Sequence, residues 1–401
     1  MNSTVLDDQR PAGIRPAPPS TLTAEEILSR AEAMVPRLRE RAADVDRERR
    51  ISGEVYRELG DAGFFHILKP KKYGGLELSE HEHAKVAMTL ARGCASTAWT
   101  FSILSSDNMA ILAYPEEVQD EIWGEDTYKT LAGNTNLNPK AVARKVPGGY
   151  RLTGRWGFCS GSDFSEWLIF NAPVEGEGHM FLVPREDAET VDDWFPTGMR
   201  GTGSRTMSVN DVFVPEHRVQ ATKDTVRKLQ ERRALHPTFS TMYATWPSNG
   251  RFPFASCAVG AAWGAAEHFA ETVGSSTRVA NALGGAVRLA DQDYVASEFA
   301  QAQGDIQMAR LLIEKRSWEA SERARQRIES SEEDVARELR DNALVTRTAL
   351  RAVQQIFSLV GAKAGNPAHP VSIAKRDVEM ISHHVTLNWR QAAVRYLAAV
   401  S

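Results

Sequence analysis

Two adjacent histidines are the most reactive feature of this sequence. His383 and His384 close the run Lys375-Arg-Asp-Val-Glu-Met-Ile-Ser-His-His-Val385. Imidazole is the side chain that gains and loses protons near neutral pH. The run reads as helical, and adjacent helical residues face directions about 100° apart. His383 is therefore expected to point away from any site that takes His384. A helical histidine with no further signal is more often packed or solvated than catalytic. Asp107-Asn108 follows an apolar stretch that begins at Ala95. A carboxylate there accepts hydrogen bonds and favours a donor or a cation; the plainer reading is a capping or solvated residue. Cys159 and Ser160 stand together at the end of a strand pattern. With no basic partner in view, Cys159 reads as a small buried hydrophobe rather than a nucleophile, and Ser160 alone is an ordinary strand serine. Trp99, Trp246, Trp263 and Tyr243 are candidates for an aromatic pocket, although large aromatics more often fill cores. The basic run Lys223 to Arg233 reads as a solvated helix face or a lid.

Composition narrows the classes open to these residues. The chain has 401 residues, 42% hydrophobic and 25% charged, an ordinary globular balance with length for two or three domains. A net charge of -4 leaves no basic footprint for nucleic acid. Cys94, Cys159 and Cys257 form no CxxC pair and no disulfide framework, which suits a reducing compartment. The first residues have no basic stretch followed by an apolar core, so a signal peptide is not expected. No run reaches the roughly 18 apolar residues that a membrane span needs. A cytoplasmic protein with no membrane partner and no metal is expected.

The elements that must position the candidate residues fall into three blocks. Residues 1–22 read as a loose arm, rich in Pro, Ala and polar groups. Thr23-Ala-Glu-Glu26 is a capping box, and Ile27, Ala31, Met34, Val35 and Leu38 follow at helical spacing. Further helices are predicted from Gly53 to Ala62, from Ser79 to about Arg92, and from Ala95 to about Tyr114. Residues 23–127 thus form an N-terminal helical block. Between 128 and 222 short apolar runs such as Trp167-Leu-Ile-Phe170 are bounded by Gly, Pro and Asp, the signature of strands and turns. Residues 223–401 return to long helical patterns from Pro253 onward. Helices, then strands, then helices make an α+β chain rather than βαβ units.

Local motifs in this order resemble the acyl-CoA dehydrogenase superfamily over nearly the whole chain after residue 23. Tyr73-Gly-Gly75, Leu152-Thr-Gly-Arg-Trp-Gly-Phe-Cys-Ser-Gly161, Gly198-Met-Arg-Gly-Thr-Gly-Ser204, Val212-Phe-Val-Pro215, Phe299 to Arg310, Gln355 to Ala364 and Arg376-Asp377 carry the resemblance. It implies an N-terminal helical domain, a central β-barrel and a C-terminal four-helix bundle. The departures are equally informative. A dehydrogenase of this superfamily keeps a Glu as base at one of two places, which are Val385 and Gly250 here. Proton abstraction needs a base in reach, so dehydrogenation is poorly supported. His384, eight residues after Arg376, is instead similar to a His of the flavin-dependent hydroxylases of the superfamily, the oxygenase halves of two-component systems. Gly93-Cys-Ala-Ser-Thr-Ala-Trp99 and Phe158-Cys-Ser-Gly161 resemble the same group.

That resemblance implies a chemistry. Reduced FAD or FMN, supplied by a separate NAD(P)H-flavin reductase, reacts with O2 to a C4a-hydroperoxide that hydroxylates an aromatic substrate. No G-x-G-x-x-G follows a strand here, which fits a partner reductase. Ser160 is expected to hydrogen-bond flavin N5, and His384 to exchange protons with a phenolic oxygen or peroxide. Phe158, Ser204, Thr206, Arg278, Gln355 and Gly361 are the further flavin candidates, the last two across subunits of a homotetramer. Trp99, Asp107, Asn108 and His384 are the substrate candidates. The phenol hydroxylases often have a His where this chain has Asp107, so an indole, aniline or amine substrate stays open. The alternatives are an amine N-oxygenase, an acyl-CoA dehydrogenase with a relocated base, and a helical binding scaffold without activity.

Overall fold

The structure, a computed structural model, describes residues 21–244, 251–279 and 285–401. Most of the expected arm, together with Trp246 and Gly250, lies outside them. Thr23 opens α1 (Ala24–Glu48): its hydroxyl accepts from the Glu26 amide at 3.2 Å, and the Glu26 carboxylate accepts from the Thr23 amide at 2.8 Å. After it come α2 (Gly53–Asp61), α3 (Glu80–Ala91), α4 (Ala95–Ser106), α5 (Asn108–Ile111) and α6 (Glu116–Trp123). The single helix predicted from Ala95 to Tyr114 is interrupted at Asp107, which ends α4 and begins α5. The break is slight: Asp107 keeps helical dihedrals (φ -65°, ψ -23°) and its amide still donates to the Ile103 carbonyl at 2.9 Å.

Eight strands follow: β1 (Leu131–Leu137), β2 (Val142–Val146), β3 (Gly149–Trp156), β4 (Trp167–Val174), β5 (Glu177–Pro184), β6 (Glu189–Val191), β7 (Thr206–Pro215) and β8 (Val219–Ala221). They make two four-stranded sheets, ordered β1-β4-β5-β8 and β2-β3-β7-β6. The central barrel expected from the sequence is therefore not closed. The edge strands β6 and β8 are three residues long, too short to complete a closure. One pairing brings distant loops together. β3 runs antiparallel to β7 with Trp156 opposite Met207. The segment just after β3 and the segment just before β7 are thereby held face to face. Bonds from the Cys159 amide to the Arg205 carbonyl (3.2 Å) and from the Gly161 amide to the Thr202 carbonyl (3.1 Å) extend the contact.

The chain then returns to helices: α7 (Thr225–Glu231), α8 (Arg251–Val273), α9 (Asp293–Arg325), α10 (Glu332–Val360), α11 (Pro370–Ser382) and α12 (Trp389–Val400). A small antiparallel ribbon, β9 (Thr277–Val279) with β10 (Ala286–Arg288), interrupts a stretch the sequence predicts as helical. Gly274, Ser275 and Ser276 are poor helix formers and end α8 there. α8 is the hub, packed against α3, α9, α10 and α11. Its crossing with α3 is so close that a Cβ on Gly260 would lie 2.1 Å from the Met88 carbonyl oxygen. The buried side chains Phe252, Val259 and Phe269 line this hub, each worth roughly 1.5–3 kcal/mol of apolar burial. Among the described residues no helix is long and apolar enough to cross a membrane.

Candidate active site

A cavity of about 570 Å³ opens where α4, the ends of β3 and β7, the first turn of α8 and the segment after α11 meet. Ser160, Ser204, Phe158, Trp99, Asp107 and His384, six of the residues singled out from the sequence, border it.

One wall is aromatic. Trp99 of α4 stacks on Phe254 of α8, ring centroids 4.3 Å apart and planes 18° apart. His384 stands edge-on to both, at 5.2 Å from Trp99 and 5.1 Å from Phe254. The helical expectation for the histidine pair fails, because α11 ends at Ser382. His384 is extended (φ -63°, ψ 137°) and caps the turn Val385–Leu387. His383 consequently does not point away; it lies at the exposed rim of the same cavity. His384 Nδ1 is 2.8 Å from Thr386 Oγ1 and accepts from the Thr386 amide at 3.4 Å. An amide N–H only donates, so the proton of the neutral ring sits on Nε2, which has no partner among the described residues. Burial pushes the ring down to about 4. His384 is thus a neutral Nε2–H donor at pH 7, not the group titrating near neutrality that the sequence suggested.

The opposite chemistry holds for Asp107. It lines the cavity at the α4–α5 junction, and burial pushes its carboxyl up to about 7. No described residue hydrogen-bonds its carboxylate. Asn108, its neighbour, is turned into the core; it is buried, does not border the cavity, and neither of its side-chain polar atoms has a partner among the described residues.

The other wall is a run of hydroxyls. Trp99 Nε1 donates to Ser160 Oγ at 3.3 Å, Ser160 Oγ lies 2.6 Å from Ser204 Oγ, and Ser204 Oγ lies 2.6 Å from Thr202 Oγ1. Ser160 is not on a strand, since β3 stops at Trp156 and Phe158 adopts a left-handed backbone (φ 59°). The Phe158 ring is 68% exposed at the cavity edge and meets Trp194 edge-on at 5.7 Å. An aromatic side chain held in that conformation at a cavity mouth is strained and uncovered, as befits a ligand contact. Cys159 is buried, donates to the Trp156 carbonyl at 3.2 Å, and is pushed up to about 12 by burial, the surroundings of a small packed thiol.

Ion pairs fix this wall. Arg205, buried, holds Asp163 at 2.7 Å and Asp192 at 3.1 Å. Arg49 also grips Asp192, at 2.7 Å, and keeps its carboxyl below the usual range. The loop before β7 is tied to α11 as well. The Met199 amide donates to Asp377 Oδ1 at 2.5 Å. A Cβ on Gly198 would lie 2.1 Å from the Arg376 carbonyl oxygen. The same helix leads into His384, so one element braces both walls.

Four flavin candidates do not reach the cavity. Thr206 begins β7, its amide donating to Asp193 at 2.9 Å. Arg278 on β9 donates to Tyr294 Oη and to the Leu359 carbonyl, both at 3.0 Å. Gly361 (φ 70°) leaves room for that guanidinium, and Gln355 donates to Glu298. These three cluster at the end of α10. Trp263 lies between the guanidiniums of Arg92 (4.1 Å) and Arg310 (3.5 Å), and Tyr243 between those of Arg233 (4.3 Å) and Arg327 (5.1 Å); neither borders the cavity. Phe254, Trp194, Met199 and Thr202 do border it and were missed. Thr202 lies inside the glycine-rich run from Gly198 to Ser204, which was its one sequence signal.

Residues 23–128 match the N-terminal domain of acyl-CoA dehydrogenase, and residues 253–389 match its C-terminal domain. The chain is 30% identical to the flavin-dependent monooxygenase oxygenase subunit HsaA of Rhodococcus jostii, covering 92% of this chain and 96% of that protein. It is 29% identical to the oxygenase component of an FADH2-dependent resorcinol hydroxylase from a Rhizobium, with 93% of each covered. Its fold superposes on the crystal structure of the 3-HSA hydroxylase from Rhodococcus with a TM-score of 0.85 at 28% identity, covering 93% of this chain and 96% of that one.

Proposed function

The chain belongs to the acyl-CoA dehydrogenase family, among the oxygenase subunits of flavin-dependent monooxygenases, and from that premise we propose that it hydroxylates an aromatic substrate with O2 and reduced FAD or FMN. One observation carries the reading. The hydroxyl run ending at Ser160 and the neutral His384, edge-on to the Trp99–Phe254 stack, face one cavity, and Val385 stands where a dehydrogenase would need its Glu. Asp107 is the one carboxylate among the described cavity residues.

The residues present fit a flavin. The cavity volume lies within the few hundred Å³ typical of cofactor sites. Ser160 offers a hydroxyl, and the exposed Phe158 ring offers a face. Bound there, reduced flavin would supply the activation of O2 and the oxygen atom delivered. The protein's own share is positional. Trp99 and Phe254 stack an aromatic substrate. His384 donates Nε2–H to an oxygen of the substrate or of the O2-derived group. Asp107 accepts from a phenol O–H, an indole N–H or an amine, and burial raises its affinity for its own proton. Ile103, Ile169, Met380 and Ile381 keep water out. A separate reductase supplies the flavin, in keeping with relatives described as oxygenase subunits or components.

The finer assignments belong to the same reading. Domains of 23–127, 128–222 and 223–401 follow the element blocks. A homotetramer is supported by the exposed apolar side chains Met308, Leu311 and Trp318 on α9 and Val394, Leu397 and Val400 on α12. In it, Arg278, Gln355 and Gly361 would complete a neighbour's flavin site. The test is to supply NADH, a flavin reductase and ¹⁸O2 with a panel of phenols, indoles and anilines. One labelled oxygen in a hydroxylated ring is expected. Consumption of O2 with no labelled product from any class would refute the reading, and label on nitrogen would turn it to N-oxygenation.

A further inference from the structure

The hydroxyl run has a direction, and the consequence rests on the flavin reading of this site. Thr202 Oγ1 lies 2.8 Å from the Met199 carbonyl oxygen. A carbonyl carries no proton, so Thr202 donates and its one proton is spent. Ser204 Oγ, 2.6 Å from Thr202 Oγ1, must then donate to Thr202. Ser160 Oγ, 2.6 Å from Ser204 Oγ, must in turn donate to Ser204. Trp99 Nε1, a donor only, takes one lone pair of Ser160 at 3.3 Å. Ser160 is left with no free proton and one free lone pair. Thr202, Ser204 and Ser160 are all buried, which limits competition from bulk water. The anchor is fixed too. Met199 has a left-handed backbone (φ 53°), its amide bonds Asp377 at 2.5 Å, and its carbonyl also accepts from Trp194 Nε1 at 3.3 Å.

We propose that Thr202 is a positioning residue that sets the direction of this run, so that Ser160 meets the flavin as a hydrogen-bond acceptor and selects the reduced form. Reduced flavin carries a proton on N5 and donates. Oxidised flavin presents a bare N5 lone pair and needs a donor, which Ser160 cannot be while Thr202 holds the far end. The site thereby reads redox state at one atom, without a charged group. A protein with this device collects reduced flavin from a reductase and lets the oxidised form go.

The test is anaerobic binding of reduced and oxidised FMN and FAD to the full-length protein, compared as a ratio of dissociation constants. The wild type is expected to favour reduced flavin. Thr202→Val keeps the shape but removes the acceptor for the Ser204 proton. Ser204 can then donate to Ser160, and Ser160 to oxidised N5. One hydrogen bond is lost on one form and gained on the other, so the preference should fall about 10-fold to 100-fold. Thr202→Ser should restore it. A merely structural role would weaken both forms alike and leave the ratio unmoved. An unchanged ratio in folded Thr202→Val overturns the proposal, as does a wild type that favours oxidised flavin. Should Thr202→Val not fold, Ser204→Ala asks the same question: it frees the Ser160 proton, and an unchanged ratio there is equally fatal. A wild type that binds neither flavin would sink the flavin reading itself and this proposal with it.

Discussion

Burial moves His384 and Asp107 in opposite directions, and the two shifts make separable predictions. His384 sits at about 4, below the unfolded imidazole near 6.5. The unfolded chain therefore binds more protons between those values, and this residue's share of stability is lost as pH falls from about 6.5 to 4. Asp107 sits at about 7, above an unfolded carboxyl near 3.9. The folded chain binds more protons there, so its share is lost as pH rises from about 4 to 7. Asp107→Asn should raise the melting temperature more at pH 7.5 than at pH 5, and His384→Asn more at pH 5 than at pH 7.5. Melting curves at the two pH values check both signs. In activity, His384→Ala should lower product per flavin oxidised about 10-fold or more while flavin affinity changes little. An unaltered product yield would remove its assigned role. Ser160→Ala should leave reduced flavin bound, weakened about 10-fold, and should raise the H2O2 released per flavin. Ser160, His384 and Trp99 were legible because each sits in a run that resembles the family, and Asp107 because it departs from the family's His at that place. Asn108 was misplaced because one step along a helix turns a side chain about 100°. Thr202 had only the glycine-rich run around it as a signal, because a hydrogen bond's direction belongs to three dimensions.

At the scale of elements, α11 and the β3–β7 pair decide the geometry. The pairing of Trp156 with Met207 brings Ser160 to Ser204 across 44 residues of chain. Strand patterns were readable in the sequence, but their partners were not, and the predicted barrel failed on edge strands too short to close it. The interruption of the helix after Ala95 escaped notice because Asp107 keeps helical dihedrals there. The close approach at Gly198 is a direct test of α11 as a brace. Gly198→Ala would press a methyl group against the Arg376 carbonyl, and such overpacking costs about 1–3 kcal/mol. Denaturant midpoints should fall accordingly, and product yield should fall with them, because both walls of the cavity move. A variant of wild-type stability and yield would show that the loop and α11 are not coupled.

For the whole molecule, the order of helical, strand and helical blocks could be read from periodicity, whereas the cavity could not. It is assembled from segments as distant as Trp99, Phe254 and His384, and Phe254 has no local signature. Met308→Glu with Leu311→Glu should lower the oligomer mass in sedimentation without unfolding the chain, since both side chains are exposed. An unchanged mass would place the interface elsewhere.

Every role proposed for the cavity depends on the protein holding reduced flavin and directing its reaction with O2. That is measured by mixing the protein anaerobically with reduced FAD or FMN, adding O2, and following flavin, H2O2 and product in time. O2 should be consumed while H2O2 appears only after a delay, and an accepted aromatic substrate should replace H2O2 with hydroxylated product. Immediate stoichiometric H2O2, at the rate of free reduced flavin and indifferent to substrate, would show that the cavity does not direct the reaction.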